Sequence, residues 1–387
     1  MEELIRTMMD MIASEVCGKA IDRSKYKFTD DYLVCLYKLS KVHDIAHLVG
    51  DALIKNDLIG NDEIKAKYQK QVMIAIYRYE KINYELNRLR SALNEAQIPF
   101  IPLKGSVLRQ YYPEPWMRTS CDIDILVHDE QVDNVAQMLV EKLGYTYEKK
   151  LCHDISLISD GGVHLELHYS LIEDEIIGRA ESVLQPVWEN AEMVPGTSEY
   201  VLHDEMFCYY HIAHMAKHFV NGGCGIRPFL DIWILNHLVD FDREKRNELL
   251  ANGGLLTFAA ESESLSEVWF GVGIHTDTTR QMQYYLLKGG VYGTTENRVS
   301  VQQVRKGGKI RYAFSRIWLP YDVLKFLYPS LNGKRILLPF YEVFRWLKLL
   351  FCGGVKRGVE ELKLNASTTS IELIETQKML SKLEINH

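Results

Sequence analysis

The sequence predicts an α+β protein, with a small sheet flanked by helical regions on its N-terminal and C-terminal sides. Three observations carry that prediction. Ahead of residue 96, Tyr79, Ile82, Leu86, Leu89 and Leu93 recur at steps of three and four, one apolar stripe on a helix. Between 96 and 200 the period falls to two, most cleanly in Asp122-Ile123-Asp124-Ile125-Leu126-Val127 and Val163-His164-Leu165-Glu166-Leu167-His168. From about 203 helical spacing returns. The changes of period divide the chain into an N-terminal helical region (1–95), a catalytic domain (96–200) and a mainly helical C-terminal domain (201–387).

The stripe that ends the first region is too short for the three or four heptads of a coiled coil, so it is read as a helix packed on its own domain. Ile98-Pro99-Phe100-Ile101-Pro102-Leu103 opens the sheet. Lys104-Gly105-Ser106 follows as a turn into a helix. Its glycine lets the backbone approach an anion, helix N–H groups point the same way, and the lysine and serine add a charge and a hydroxyl. Asp129 is expected to cap a helix carrying Val132, Val135, Leu139 and Leu143, which Gly144 ends. Strands follow over 145–148, 155–159 and 163–169, the last entered through a tight turn at Gly161-Gly162. Strand character stops near Pro195-Gly196. Helices over 203–220 and 229–239 lead to a glycine-rich, strand-tolerant interruption around 287–304. In 336–351 aromatics mix with Arg345 and Lys348. Contact with an anionic membrane surface is one reading; a packed helix whose cations snorkel outward is preferred.

The chemistry sits in the alternating segments. Strand side chains alternate faces, so Asp122 and Asp124 project together while Ile123, Ile125 and Val127 enter the core. Neighbouring carboxylates are costly to bury without a cation between them. Oxygen ligands suit a hard ion such as Mg²⁺. Glu166 adds a third carboxylate, enough for two ions roughly 3.5–4 Å apart in phosphoryl transfer. Read alone, His164, Glu166 and His168 also resemble a transition-metal site. Beside Asp122 and Asp124 the glutamate fits an oxygen-ligand site better, and the histidines become neighbours that touch substrate or simply flank the sheet. His211, His214 and His218, with Lys217, share one helix face. No glutamate follows His214 as the metalloprotease motif requires, so two readings stay open: a polar cleft wall roofing the carboxylates, and ordinary surface histidines.

Apolar residues make up 47% and charged ones 25%, an ordinary globular balance over 387 residues. Net charge is −7, but residues 301–358 hold twelve Lys and Arg against Asp322 and Glu342. An acidic body argues against broad nucleic-acid binding, while the basic stretch keeps a local anionic partner open. No signal peptide or membrane span is evident, and seven scattered cysteines fit reduced thiols in a cytoplasm. Cys121 is read as a small core residue.

Taken in order, Ile101-Pro102-Leu103-Lys104-Gly105, Tyr111 or Tyr112, Arg118, the Asp122–Val127 strand and Val163-His164-Leu165-Glu166-Leu167-His168 resemble the DNA polymerase beta-like nucleotidyltransferase superfamily. Within it they resemble the poorly characterised bacterial branch of nucleotidyltransferase family proteins. The likeness covers residues 96–170, and the helical segment over 211–231 shares it. Two departures stand out. A lysine precedes the Gly-Ser, and a loop over 112–116 lengthens the gap to Asp122. The resemblance implies a small mixed-sheet nucleotidyltransferase core that moves a nucleoside monophosphate from an NTP to an acceptor hydroxyl, with Mg²⁺ or Mn²⁺. Asp122, Asp124 and Glu166 would be catalytic and hold metal; Lys104, Gly105, Ser106 and Arg118 would bind nucleotide. His164, His168, His211, His214, Lys217, His218 and Arg227 would line the substrate cleft. Two alternatives stand beside it: a non-catalytic nucleotide-binding or scaffold protein, and a toxin-like transferase acting on tRNA or protein. The acceptor is set by pockets in 200–387 and is not named by fold analogy.

Overall fold

The computed structural model describes residues 1–172, 178–351 and 355–385. Four helices come first: α1 (Glu2–Val16), α2 (Asp30–Val42), α3 (Ala46–Lys55) and the long α4 (Asp62–Glu95). The sheet segment runs β1 (Phe100–Pro102), α5 (Gly105–Leu108), β2 (Asp122–Val127), α6 (Val132–Leu143), β3 (Thr146–Lys150), β4 (Asp154–Ile158) and β5 (His164–His168). After α7 (Ala180–Leu184) a small hairpin, β6 (Ala191–Met193) and β7 (Tyr200–Leu202), precedes helices to the end of the described chain. These are α8 (Asp204–Val220), α9 (Arg227–Leu238), α10 (Arg243–Gly253), α11 (Leu256–Phe270), α12 (Asp277–Leu287), α13 (Thr295–Lys306), α14 (Lys309–Ile317), α15 (Tyr321–Leu327), α16 (Leu338–Phe351), α17 (Val355–Ser367) and α18 (Ser370–Lys382). The α+β class with helical flanks is as the sequence predicts.

The five-stranded sheet has the order β1-β2-β5-β4-β3 and is mixed: β2 and β5 are parallel, the other pairs antiparallel. One face is dry. Ile123, Ile125, Val127, Leu165 and Leu167 form a cluster with Ile82, Leu86, Leu89 and Leu93 of α4 and Val135 and Leu139 of α6. The α4 stripe therefore closes the back of its own sheet. Each such side chain contributes about 1.5–3 kcal/mol when fully buried. The other face carries Asp122, Asp124, Glu166 and His168. A second cluster joins α1 and α3 to α8, α9 and α11, so the N-terminal and C-terminal helices share one core.

Several local expectations change. Asp129 begins a short 3₁₀ turn, and no side chain caps α6, although Gly144 ends that helix in the left-handed conformation (φ 73°). The Gly161-Gly162 turn is present: Gly162 (φ 71°) donates to the Ser159 carbonyl at 2.7 Å. The stretch expected to tolerate strand is helical, because the Thr294 hydroxyl accepts from Asn297 N–H and starts α13. Cys121 is exposed rather than in the core. In α16 the expected polarity holds for Lys348, which is exposed, but not for the side chains around Glu342. Glu342 is buried with Arg345 folded onto it at 2.8 Å, while Phe340 (72%), Val343 (60%) and Phe344 (54%) lie exposed.

Candidate active site

Parallel pairing of β2 with β5 sets Asp122 beside His164 and Asp124 beside Glu166. Antiparallel β4 then sets Ser156 beside Glu166 and Asp154 beside His168. Side chains at paired positions share a face, so all these polar groups rise from one side of the sheet. Across from them stands α8. The two walls enclose a cavity of about 540 Å³, lined below by Lys104, Gly105, Asp122, Asp124, Asp154, His164 and Glu166, and above by His211, His214, Lys217 and His218. Arg118 and Arg227 border it. The three expected carboxylates and the four-residue face of α8 are thus brought together.

Asp124 is the centre of the electrostatics and is 2% exposed. Its Oδ1 accepts from Lys104 Nζ at 2.7 Å and from His168 Nε2 at 3.0 Å. Burial alone would raise its pKa, but the Lys104 ammonium and the His168 bond outweigh that and hold the carboxylate well below its usual range. Glu166 is also held low, by the His168 bond first, against burial. His168 in turn is raised, because its bonds to Asp124 and Glu166 overcome the burial that opposes its charge. Among the described residues Asp122 makes no such bond. Burial, then the neighbouring Asp124 charge, pushes it up to about 6. A carboxyl raised in this way is stabilised by an added cation.

The ligand atoms of Asp124, Glu166 and His168 lie within 4.8 Å of one another, close enough to hold one ion. The residues fit a metal, with a correction to the expected set. His168, 1% exposed, lies beneath the cavity and bonds to Asp124 rather than lining the cleft wall. His164 remains at the rim, 3.1 Å from Glu148 Oε2. Sequence reasoning missed Asp154, because the strand it assigned begins one residue later. The signal was available: Asp154 and Ser156 alternate with Ile155 and Leu157 on the pattern of β2.

The nucleotide-binding candidates separate. Gly105 is buried, and a β-carbon there would meet Ser120 Cβ at 3.2 Å, so a larger residue would have to push the Ser120 side chain back by a few tenths of an ångström. The Ser106 hydroxyl is buried away from the cavity without a hydrogen-bond partner. Helix α5 has only four residues, and the N–H groups of Ser106 and Val107 already bond to Leu103 and Lys104 carbonyls. Arg118 borders the cavity but closes its fork on Asp231, Nε to Oδ1 at 2.7 Å and Nη2 to Oδ2 at 2.8 Å. Tyr112 donates to the same carboxylate at 2.7 Å. Arg227 donates to the Thr119 carbonyl at 2.6 Å, and His211 sits 3.1 Å from the Pro228 carbonyl. On the α8 wall, His214 and His218 meet through their Nε2 atoms at 3.1 Å. Burial drives both below the usual imidazole range, His218 to about 4. Lys217 is lowered to about 8, by burial first and by Lys104 next.

A mixed sheet whose polar face gathers carboxylates, under a helical roof, is the framework of a phosphoryl- or nucleotidyl-transfer enzyme. The chain belongs to the uncharacterised nucleotidyltransferase family, whose model matches residues 33–271. It is thus a transferase of nucleotidyl groups by family. No curated protein matches it. Among solved structures, a solution structure of the antibiotic-resistance factor ANT(2'')-Ia matches at 13% identity, covering 48% of this chain and 88% of that one with a TM-score of 0.25. A likeness at that level is too slight to build on. Among the described residues no helix is long and apolar enough to cross a membrane.

Proposed function

We propose that the protein transfers a nucleoside monophosphate from an NTP to an acceptor hydroxyl and releases pyrophosphate, with Mg²⁺ or Mn²⁺ as cofactor. The observation that supports this most is the gathering of Asp122, Asp124 and Glu166 on one sheet face, opposite the α8 wall that carries Lys217. Asp124 and Glu166, with Asp122 beside them, would hold the metal, which when bound polarises phosphoryl oxygens and offsets their charge. The acceptor oxygen attacks the α-phosphorus, its proton passes to Glu166, and the bond to the bridging oxygen breaks to release pyrophosphate. Glu166 suits that role because it is ionised and, at 30% side-chain exposure, reaches the cavity. Lys217 and Arg227 face the triphosphate from the far wall. Arg118, fastened to Asp231, holds the loop before β2 rather than meeting the nucleotide directly. The division of the chain at 95 and 200 belongs to this reading. Incubation with each labelled NTP, Mg²⁺ or Mn²⁺, and cell extract separated into protein, RNA and small molecules tests it. One fraction is expected to take up label; label in none would refute transfer and favour a nucleotide-binding protein.

A second reading adds a location to the reaction. Exposed Ile310, Phe314, Ile336, Phe340, Val343 and Phe344 lie in a segment with ten more cationic than anionic residues over 301–358. That combination suits the surface of an anionic bilayer better than a second copy of the same positive face. Cosedimentation with phosphatidylserine vesicles, lost in Phe340→Ser/Phe344→Ser, is the expected result. Equal pelleting with neutral vesicles would refute it.

A further inference from the structure

The sequence places Lys104 with the phosphates, yet the structure turns it onto the carboxylates. Its backbone sits at φ 47°, ψ −121°, a conformation natural to glycine and strained for any side chain with a β-carbon. Strain of this kind persists where the surroundings over-determine it. Here they do. The ammonium is 2.7 Å from Asp124 Oδ1 and 3.8 Å from Glu166 Oε2, with a side chain only 19% exposed. It therefore lies between Asp124 and Glu166, two of the three carboxylates expected to hold metal.

We propose that Lys104 is a built-in cation that stands in for the second divalent ion, so that this site takes one divalent ion and not two. The inference rests on the nucleotidyl-transfer reading. Two ions in such a site lie roughly 3.5–4 Å apart, which leaves no room between neighbouring carboxylates for a further cation. An ammonium bonded to Asp124 Oδ1 takes one of the positions at which an ion could bridge Asp124 and Glu166 and repels a second positive charge, leaving the other carboxylate oxygens and Asp122 for one ion. Its charge also accounts for the survival of three neighbouring carboxylates in a mostly buried cluster. The chain keeps a lysine in a glycine's conformation to place that charge, which a structural ion pair elsewhere on the surface would not require.

Mn²⁺ titration followed by electron paramagnetic resonance tests the stoichiometry without any substrate. Wild type is expected to bind one Mn²⁺ at this site. Lys104→Gly, which also relieves the backbone strain, and Lys104→Met are each expected to bind two, with the spectrum of a coupled pair. Lys104→Arg keeps the charge and is expected to bind one. Circular dichroism confirms that each variant is folded. Two ions in wild type, or one in both neutral variants, would overturn the role of Lys104 alone, provided Asp124→Asn abolishes the binding. Binding that survives Asp124→Asn, or none in any form, would refute the metal site itself and the function built on it.

Discussion

Removing the Asp231 carboxylate is expected to destabilise the fold by about 3–5 kcal/mol, because it leaves the Arg118 guanidinium buried and unpaired. Asp231 is fully buried and Arg118 is 12% exposed, so solvent offers little relief. The double variant Arg118→Met/Asp231→Leu should recover most of that loss in a chemical denaturation series, whereas losses that simply add would contradict a coupled pair. Residues of the site were legible in proportion to how local their geometry is. Asp122, Asp124 and Glu166 follow from a period of two within single strands. The pairing of Lys104 with Asp124 does not, since it joins side chains twenty positions apart and depends on a positive φ that no lysine advertises. His168 follows the face of Glu166 in the sequence, but its depth depends on the strand that lies beside it.

At the scale of elements, α3 carries a pH sensitivity that has nothing to do with catalysis. His47, 4% exposed, bonds through Nε2 to the Met117 carbonyl at 3.0 Å, and burial lowers its pKa from 6.5 to about 4. Below 6.5 the unfolded chain takes up a proton that the folded one refuses. Stability is therefore flat above that value and falls as pH drops from 6.5 to 4, by up to about 3 kcal/mol. His47→Gln should make the melting-temperature profile shallower across that window by one histidine's share, since His43, His214 and His218 are lowered by burial as well; a profile as steep as wild type would contradict the assignment. Helix α4 was readable because its stripe is long and regular. Helix α13 was obscured by the glycines at 289, 290 and 293, which hide the Thr294 cap. The orientation of α16 was unreadable for another reason: an amphipathic pattern shows that a helix has two faces, not which one turns inward.

For the whole molecule, the N-terminal and C-terminal helices share a core while the sheet packs its apolar face on α4, so the cleft forms between the sheet's polar face and α8. The sequence signalled a roof through the spacing of His211, His214 and His218, and the structure sets that face over the carboxylates. What enters between the walls is a question of pocket shape, which no period encodes. Nucleotidyl transfer at Asp124 is tested by pyrophosphate release from NTP with Mg²⁺ and the extract fraction that takes up label. Wild type is expected to release pyrophosphate only with metal, and Asp124→Asn to lose at least about 1,000-fold with its circular dichroism unchanged, the scale expected when about 4 kcal/mol of transition-state stabilisation is removed. Release that persists in folded Asp124→Asn would contradict the account.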